Sequence, residues 1–320
     1  MSFSQEFHLE AQPTSSASLF WRLIPAARWL LQQPGLRTFQ PLARQIKAVA
    51  EPPGRLQLSQ QPGLAFRGKC RPITILSANL WHDWPRHRNI LGRLEHFARL
   101  VEAQGADIIL LQEVMRRPDI RADQWLSQRL SMGHVYSRVN GHASAVGFEE
   151  GLAVFSRFPI HAWHLRQLDT YAIPFVRRLA LGATVDTPCG KILAVSVHLG
   201  ISNRQNASQL ALLRSWIDEV AADLPVTIGG DFNTHETSSQ ISLLKPAWID
   251  TFRSLHPQGD GTSHVLRWPW GGTLRRSRLD YIFLKPGQSR WDIQEARYLQ
   301  VPRFPHSDHH AVLARLALSN

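Results

Sequence analysis

The stretch Pro225-Val-Thr-Ile-Gly-Gly-Asp-Phe-Asn-Thr234 joins a short apolar run to two glycines and two polar side chains. The run at 226–228 predicts a buried strand, and the glycines that follow let its backbone approach another group closely. Asp231 and Asn233 stand two residues apart, so extended backbone would point both side chains the same way. Proteins of the α/β class place ligands at this end of a strand. The alternative is an ordinary turn, because Gly, Asp and Asn are turn residues in any protein.

Composition restricts the class of protein. The chain has 320 residues, of which 43% are hydrophobic, and this is enough for a sizeable core in two domains or in one large α/β sandwich. A formal net charge of +11 and a pI of about 10.5 favour polyanionic partners such as nucleic acid, anionic lipid or phosphorylated substrates. A basic protein without such a partner would have the same balance of charge.

Three negative observations bear on the cellular location. No apolar run is long enough for a transmembrane helix, and the N-terminus lacks the basic-then-apolar pattern of a secretory signal. The two cysteines, Cys70 and Cys189, provide neither a disulfide framework nor the spacing of a zinc site. We therefore expect a cytoplasmic protein, with peripheral membrane association as an option.

Residues 1–72 differ from the rest of the chain, because they contain nine Lys or Arg residues and three acidic ones. Within them, residues 19–31 have the apolar spacing of a helix and include two arginines and two tryptophans. Such a stretch can bind an anionic membrane surface; packing on the protein's own domain and a loosely ordered extension are the alternatives. Pro and Gly near 52–54 and 62–63 predict a linker. We therefore divide the chain into a basic N-terminal extension, 1–72, and a second unit, 73–320.

From residue 73 onward, apolar strands interleave with helices of period 3.6. The predicted helices span residues 90–104, 123–130, 205–221 and about 238–244. The predicted strands span residues 73–77, 107–113, 134–138, 151–156, 178–185, 191–198, 226–228, 278–284 and 311–316. Several neighbouring strands are predicted to form hairpins, such as the pair around the turn at 187–190. The pattern therefore indicates an α/β protein with mixed rather than purely parallel sheets.

Eight polar residues fall at or near the ends of these apolar strands. They are Asn79, Glu113, His198, Asp231, Asn233, Asp280, Asp308 and His309. Asp280 is the exception in position, because it lies inside an apolar strand, where a carboxylate is costly unless it is paired. If the strands share one edge, these side chains converge.

The residue types limit the chemistry of such a site. Carboxylates without cysteine suit a hard cation such as Mg²⁺ or Mn²⁺ better than zinc. A phosphate ester is then the expected substrate, since Mg²⁺ and neutral donors stabilise its transition state. No Gly-x-Ser-x-Gly motif is present, which favours direct attack by water. His309 would remove the water proton, and we expect a hydrogen bond from its ring to Asp280 to orient it.

Six short motifs carry a family resemblance: Ser77-Ala-Asn79, Leu111-Gln-Glu-Val114, Val197-His-Leu199, Gly230-Asp-Phe-Asn233, Leu279-Asp-Tyr281 and Ser307-Asp-His309. In this order they resemble the endonuclease/exonuclease/phosphatase superfamily, which includes deoxyribonuclease I, neutral sphingomyelinases and tyrosyl-DNA phosphodiesterases. The resemblance covers about residues 73–317 and makes 73–320 a catalytic domain. It implies an α/β fold of four layers, in which two mixed β-sheets pack face to face with helices on both outer faces.

The resemblance also implies roles for individual residues. The implied metal ligands are Asn79, Glu113 and Asp308, with Glu113 as the main one. The implied catalytic residues are His198, Asp231, Asn233, Asp280 and His309, of which His198 and Asn233 would also bind substrate. Arg178 is a further candidate for the substrate phosphate, with an ordinary surface arginine as the alternative. Whether His309 or Asp231 accepts the water proton stays open.

The sequence thus predicts a Mg²⁺-dependent phosphodiesterase, with Mn²⁺ as an alternative cofactor. Nucleic acid is the preferred substrate, because of the net charge and because Trp268 and Trp270 lie among arginines and could stack on a strand. A loop that packs both tryptophans over the core is the alternative for that segment. A phospholipid or sphingomyelin head-group hydrolase, held at a membrane by the N-terminal segment, is the rival function. A binding module that has lost turnover is the non-enzymatic rival, and no protein partner is inferred.

Overall fold

The computed structural model describes residues 45–49, 57–59, 69–169, 176–299 and 306–319. The stretch at 19–31, for which membrane binding is an option, lies outside these residues. Among the described residues, no helix combines the length and the apolar character needed to cross a bilayer.

The strands form two large sheets and a separate two-stranded ribbon. In chain order they are β1 (Gln57–Ser59), β2 (Ile73–Asn79), β3 (Ile108–Arg116), β4 (Gly133–His142), β5 (Phe148–Ser156), β6 (Ile160–Gln167), β7 (Leu179–Thr187), β8 (Gly190–His198), β9 (Val226–Asp231), β10 (Ile249–Asp250), β11 (His264–Arg267), β12 (Thr273–Ser277), β13 (Asp280–Lys285), β14 (Arg290–Leu299) and β15 (Ala311–Ser319).

Both large sheets are mixed. The first has the strand order β1-β4-β5-β3-β2-β15-β14, and the second has the order β10-β13-β9-β8-β7-β6. Each contains one parallel pair near its centre, β2 with β3 in the first sheet and β8 with β9 in the second. The other neighbours in these sheets are antiparallel. Parallel neighbours end on the same side, so each sheet presents two adjacent strand ends at one edge.

The helices are α1 (Ile90–Gln104), α2 (Ala122–Leu130), α3 (Ala143–Val146), α4 (Asn203–Ala221), α5 (Ser239–Ser242) and α6 (Thr251–Leu255). The longer ones follow the apolar period of the sequence. In α1, Leu94, Phe97, Ala98 and Val101 are buried, and this three-or-four spacing forms one apolar stripe. The helix ends where Gly105 takes a left-handed conformation, with φ of 59°, which glycine adopts without steric cost.

Three apolar cores define the layers. Side chains of α1 and α2 share the first core with one face of the first sheet. The inner faces of the two sheets form the second core. Side chains of α4 share the third core with the outer face of the second sheet. The expected four-layer α/β sandwich is therefore confirmed.

The N-terminal extension contributes to this fold. Within it, β1 pairs with β4 at the edge of the first sheet, and Cys70 forms a disulfide with Cys189 in the β7–β8 turn, with the Cα atoms 4.6 Å apart. The expectation that the cysteines form no disulfide framework is wrong. Their separation of 119 residues carries no local signal, and only the folded sheets bring them together. Because disulfides persist in oxidising environments, the bridge also runs against the expected cytoplasmic location.

Candidate active site

The central strands of the two sheets bring three predicted site residues into direct contact. Asn79 closes β2 and Asp231 closes β9. The Nδ2 group of Asn79 donates hydrogen bonds to Glu113 Oε1 and to Asp231 Oδ2, each 3.1 Å long. Since Glu113 belongs to the first sheet and Asp231 to the second, this one amide joins the sheets at the site.

Glu113 lies at an irregularity in β3. Its φ is 53°, and the register of β3 against β5 shifts between Leu111 and Val114. A positive φ is unfavourable for a residue with a side chain, and bulges of this kind re-aim side chains next to active sites. Here the carboxylate leaves the strand ladder and accepts the backbone N–H of His82 at 3.0 Å.

Two residues that the sequence analysis did not assign to the site complete a cluster around Glu113. His82 Nε2 lies 3.1 Å from Glu150 Oε2 and 3.4 Å from Glu113 Oε2. The backbone N–H of Trp84 donates to His82 Nδ1 at 3.0 Å, so a neutral ring must carry its proton on Nε2, facing both carboxylates. Glu150 lies just before the apolar run of β5, and this strand-end position is the signal that could have identified it.

The charges within this cluster determine its protonation. Burial raises the pKa of Glu113, and the charge of Glu150 raises it further. Burial acts on Glu150 in the same direction, but the hydrogen bond and charge of His82 hold its pKa at about 2. Burial opposes protonation of His82, yet Glu150 and Glu113 together raise its pKa. The buried carboxylate of Glu150 and the partly buried one of Glu113 therefore compete for the ring of His82, and a further cation would relieve their repulsion.

A second cluster contains the predicted pair Asp280 and His309. His309 Nδ1 and Asp280 Oδ2 are 2.8 Å apart, so the expected hydrogen bond is present. Burial would lower the pKa of His309, but the charges of Asp280 and Asp231 outweigh it and hold the pKa well above 6.5. The ring is therefore an imidazolium at neutral pH, with Nδ1 donating to Asp280.

Asp231 faces the other side of this ring. Its Oδ2 lies 3.9 Å from His309 Nε2, and β13 pairs Asp280 directly opposite Asp231 in the sheet. Burial and the neighbouring charge of Asp280 raise the pKa of Asp231 to about 7, although His309 and hydrogen bonds from Asn233 and Asn79 oppose the rise. A carboxyl group with this pKa can exchange a proton near neutral pH.

His198, Arg178 and Asn233 line the same site. His198 Nε2 is 3.7 Å from Asp231 Oδ2, and burial together with the charge of Arg178 keeps its pKa well below 6.5. Arg178 is partly buried, and within the described residues its buried Nε has no hydrogen-bond partner. Asn233 donates from Nδ2 to the carbonyl of Leu199 at 3.0 Å and from its backbone to Asp231 at 2.8 Å.

Asp308 lies with a different set of residues from Glu113. It is exposed and groups with His264 and His309, while Glu113 groups with His82 and Glu150. Of the three predicted metal ligands, the structure thus brings Asn79 and Glu113 into contact and places Asp308 beside His309. The Oδ1 atom of Asn79 accepts the N–H of Trp81 at 2.9 Å, so in this arrangement the amide positions both carboxylates.

The tryptophan segment forms the tip of the β11–β12 ribbon. Trp268 and Trp270 stack with ring centroids 4.9 Å apart and are 42% and 78% exposed. The alternative that they pack over the core is therefore wrong. At the base of the ribbon, the His264 ring lies 4.6 Å from the His309 ring.

The donor set suits a hard divalent cation. Three groups of His and carboxylate side chains each place their ligand atoms within 4.8 Å of one another. Glu150 Oε2 is buried, and the carboxylates of Glu150 and Glu113 both face the ring of His82. Carboxylate oxygens that lie close together are the ligands that Mg²⁺ and Mn²⁺ prefer.

Comparison with known proteins agrees with this geometry. Residues 76–309 match the model of the endonuclease/exonuclease/phosphatase family. The chain is 31% identical to the protein YbhP of Escherichia coli (strain K12) over 176 residues, which span 51% of this chain and 66% of that relative.

Solved structures share the fold at low sequence identity. The chain resembles an endonuclease/exonuclease/phosphatase family protein from Leptotrichia buccalis, with a TM-score of 0.64 and 20% identity over 76% of this chain and 99% of the other. It also resembles D. rerio TDP2 complexed with a single-strand DNA product, with a TM-score of 0.61 and 17% identity over 77% and 98% of the two chains.

The family match runs from the core of β2 to His309, which is paired with Asp280. The fold is that of a phosphoesterase family, and the described residues include acidic and histidine clusters that could hold a divalent metal. The chain belongs to the endonuclease/exonuclease/phosphatase family.

Proposed function

We propose that this protein is a Mg²⁺-dependent phosphodiesterase that cleaves nucleic acid by in-line attack of water. The observation that carries the proposal is the convergence of the Asp280–His309 pair, Asp231 and the Glu113 cluster at one edge of two packed sheets. Glu113, with Glu150 and Asn79 beside it, would hold the cation, and Asp308 is a further candidate ligand. A bound Mg²⁺ ion would supply positive charge to the phosphate oxygens.

Residues of the chain would transfer the proton, orient the catalytic groups and bind the phosphate. Asp231, with a pKa of about 7, accepts the proton of the attacking water. His309 is already protonated, because its pKa is well above 6.5, and it stabilises the negative phosphate through Nε2. Asp280 keeps that ring oriented. The neutral His198, 3.7 Å from Asp231, and Arg178, whose charge acts on His198, bind the non-bridging oxygens. The water oxygen forms the new bond to phosphorus as the bond to the leaving oxygen breaks.

The preference for nucleic acid rests on charge and on exposed aromatic surface. The net charge is +11, and the exposed tryptophan pair lies on a ribbon whose base contacts His309. A phospholipid head group is the second candidate, because Leu266 and Leu274 are also exposed on that ribbon and would suit a membrane surface. If the substrate is a phospholipid, the N-terminal segment would add affinity for the membrane.

A substrate panel tests the proposal. The full chain is assayed on supercoiled DNA, single-stranded DNA, RNA, sphingomyelin and a phosphoinositide, each with Mg²⁺ and with EDTA. We expect Mg²⁺-dependent cleavage of a nucleic acid and loss of that activity in Asp231→Asn. The control is His310→Ala. The Nδ1 atom of His310 lies 2.9 Å from the carbonyl of Thr262. Cleavage confined to the lipids would favour the second candidate, and activity that persists in EDTA would contradict metal dependence.

A further inference from the structure

The β11–β12 ribbon is preorganised at its tip. The backbone N–H of Trp268 donates to the carbonyl of Gly272 at 3.2 Å, and that of Gly271 donates to the carbonyl of Trp268 at 3.0 Å. The two glycines have φ of 99° and 80°, a conformation that a residue with a side chain adopts only with strain. The turn holds the rings of Trp268 and Trp270 within 11° of parallel. One planar aromatic face is thereby presented without further ordering.

One face of the ribbon leads from the active site toward this tip. Residues paired directly across two antiparallel strands share a face, and so do residues two apart along a strand. His264 pairs with Ser277, and Leu266 pairs with Arg275. The face that packs His264 against His309 therefore continues outward to Leu266 and Arg275. From His264 to Trp268 the path is about 13 Å long, at about 3.3 Å per residue.

The charge of the ribbon is uniformly positive. Residues 264–277 include Arg267, Arg275 and Arg276 and no acidic residue. Arg276 forms an ion pair of 2.6 Å with Asp260 at the ribbon's base, whereas Arg267 and Arg275 are exposed and form no ion pair with any part of the chain that the structure describes. An exposed aromatic face next to exposed guanidinium groups has the chemistry that recognises unpaired bases and their phosphates.

We propose that this ribbon binds a single strand of nucleic acid beside the active site, with a base stacked on Trp270 and a phosphate on Arg275. The inference rests on the proposed function and names its substrate as an unpaired strand. Bases in a duplex are already stacked on their neighbours, so only an unpaired base offers a free face to Trp270. A membrane surface would also attract these arginines, but it offers no base to stack on Trp270, and the vesicle measurement below separates the two.

Binding of the full chain in EDTA tests the proposal without turnover. Three variants are compared with the wild type: Trp270→Ala, Trp270→Phe and Arg275→Ala. Fluorescence anisotropy measures their binding to a short fluorescein-labelled single strand and to the same strand in a duplex. Sedimentation measures their binding to phosphatidylglycerol vesicles. Trp163→Ala, which removes a tryptophan that is 40% exposed on the edge strand β6, is the matched control for Trp270. Arg290→Ala is the control for Arg275, because it is another exposed arginine at a strand end.

We expect Trp270→Ala to raise the Kd for the single strand about 5- to 100-fold, the loss for one stacked base. Trp270→Phe, which keeps an aromatic face, should retain most of the affinity. Arg275→Ala should reduce the slope of log Kd against log salt by about 0.7, the value for one phosphate of a single strand. Both controls should bind as the wild type does.

Several outcomes would overturn the inference. These are an unchanged Kd in Trp270→Ala, an equal loss in Trp163→Ala, equal losses for strand and duplex, or a loss confined to the vesicles. Hydrolysis of a small chromogenic phosphodiester with Mg²⁺ separates this inference from the proposed function. Trp270→Ala should cleave it at the wild-type rate, whereas a wild type that cannot cleave it would contradict the function and leave strand binding as a separate result.

Discussion

Removal of His309 should leave a buried carboxylate without a partner. Asp280 is 1% exposed and His309 is 9% exposed. Asp280 Oδ2 bonds to the His309 ring at 2.8 Å, and Oδ1 has no hydrogen-bond partner within the described residues. Breaking a buried ion pair by removing one partner costs about 3–5 kcal/mol. We therefore expect His309→Ala to lower the free energy of unfolding of the metal-free protein by about that amount.

Neutralising Asp280 should change the free energy of unfolding in opposite directions in the wild type and in the His309→Ala protein. In the wild type, Asp280→Asn weakens a charged hydrogen bond and should cost about 1–3 kcal/mol. In the His309→Ala protein the same change removes an unpaired charge, so it should raise the free energy of unfolding. For turnover, His309→Ala should lose about 10²–10⁴-fold, and the double variant should lose little more, because residues that act as one unit are not additive.

The pH dependence gives an independent check on the ion pair. The folded-state pKa of His309 is raised above 6.5. Its stabilising contribution should therefore be complete below about pH 6.5, the unfolded value, and should be lost as the pH rises through the folded-state pKa. The difference in unfolding free energy between the wild type and His309→Ala should shrink over the same range.

Urea unfolding in EDTA, followed by circular dichroism, measures these free energies, and His310→Ala provides the control. The reasoning is refuted if Asp280→Asn further destabilises the His309→Ala protein, or if the two losses in rate multiply. Either result would mean that the 2.8 Å contact does not couple the two side chains.

Three further predictions concern the metal, Asp231 and the disulfide. Glu113→Gln should weaken Mg²⁺ binding with little change in fold, and wild-type affinity in calorimetry would contradict its assignment as the main ligand. The pKa of Asp231 rises from 3.8 to about 7 on folding, so its contribution to stability is lost as the pH rises through that range. Asp231→Asn should then stabilise the metal-free protein above pH 7 by up to roughly 4 kcal/mol and have little effect near pH 4, and a pH-independent effect would refute this. Cys70→Ser should lower the free energy of unfolding by about 2–5 kcal/mol in oxidising buffer, and two free thiols in the unreduced, unfolded wild type would contradict the bridge.

The site was largely predictable because Asn79 and Asp231 close apolar runs. The expectation that Glu113 ends its strand is wrong, because β3 continues past a bulge through the buried residues Val114 and Met115. Asn79, Glu113 and Asp231 each follow several buried positions in sequence. A polar side chain at the end of such a run lies at the sheet edge whatever the order of the strands. What the runs do not specify is which ends meet. Asp308 illustrates this, since its position beside His264 depends on how the ribbon returns to the sheet.

The missed features lack a local apolar signal. No strand was predicted for β6 or β14, which lie at sheet edges and alternate partly buried with exposed residues. Edge strands bury one face at most, so their runs are polar and hard to separate from loops. His82 follows Trp81, which has φ of 49°, and no periodicity predicts where such a loop directs a side chain. Its partner Glu150 was missed because the prediction considered polar residues inside or after apolar runs, whereas Glu150 precedes one.

The glycines of the opening motif explain why the two halves of the site meet. A Cβ on Gly229 would lie 2.6 Å from Cδ1 of Leu110 and 3.0 Å from Cβ of Ser77, both in the first sheet. A contact of 2.6 Å would force Leu110 or the backbone to shift, so the absence of a side chain at Gly229 lets β9 press closely against β2 and β3. Two residues after Gly229, the close approach of the sheets leaves Asp231 Oδ2 3.1 Å from Asn79 Nδ2. The close approach of the sheets at Gly229 therefore sets the distance between the Glu113 cluster and the Asp280–His309 pair. The motif at 225–234 thus contributes to the site through the packing of its glycines as well as through the carboxylate of Asp231.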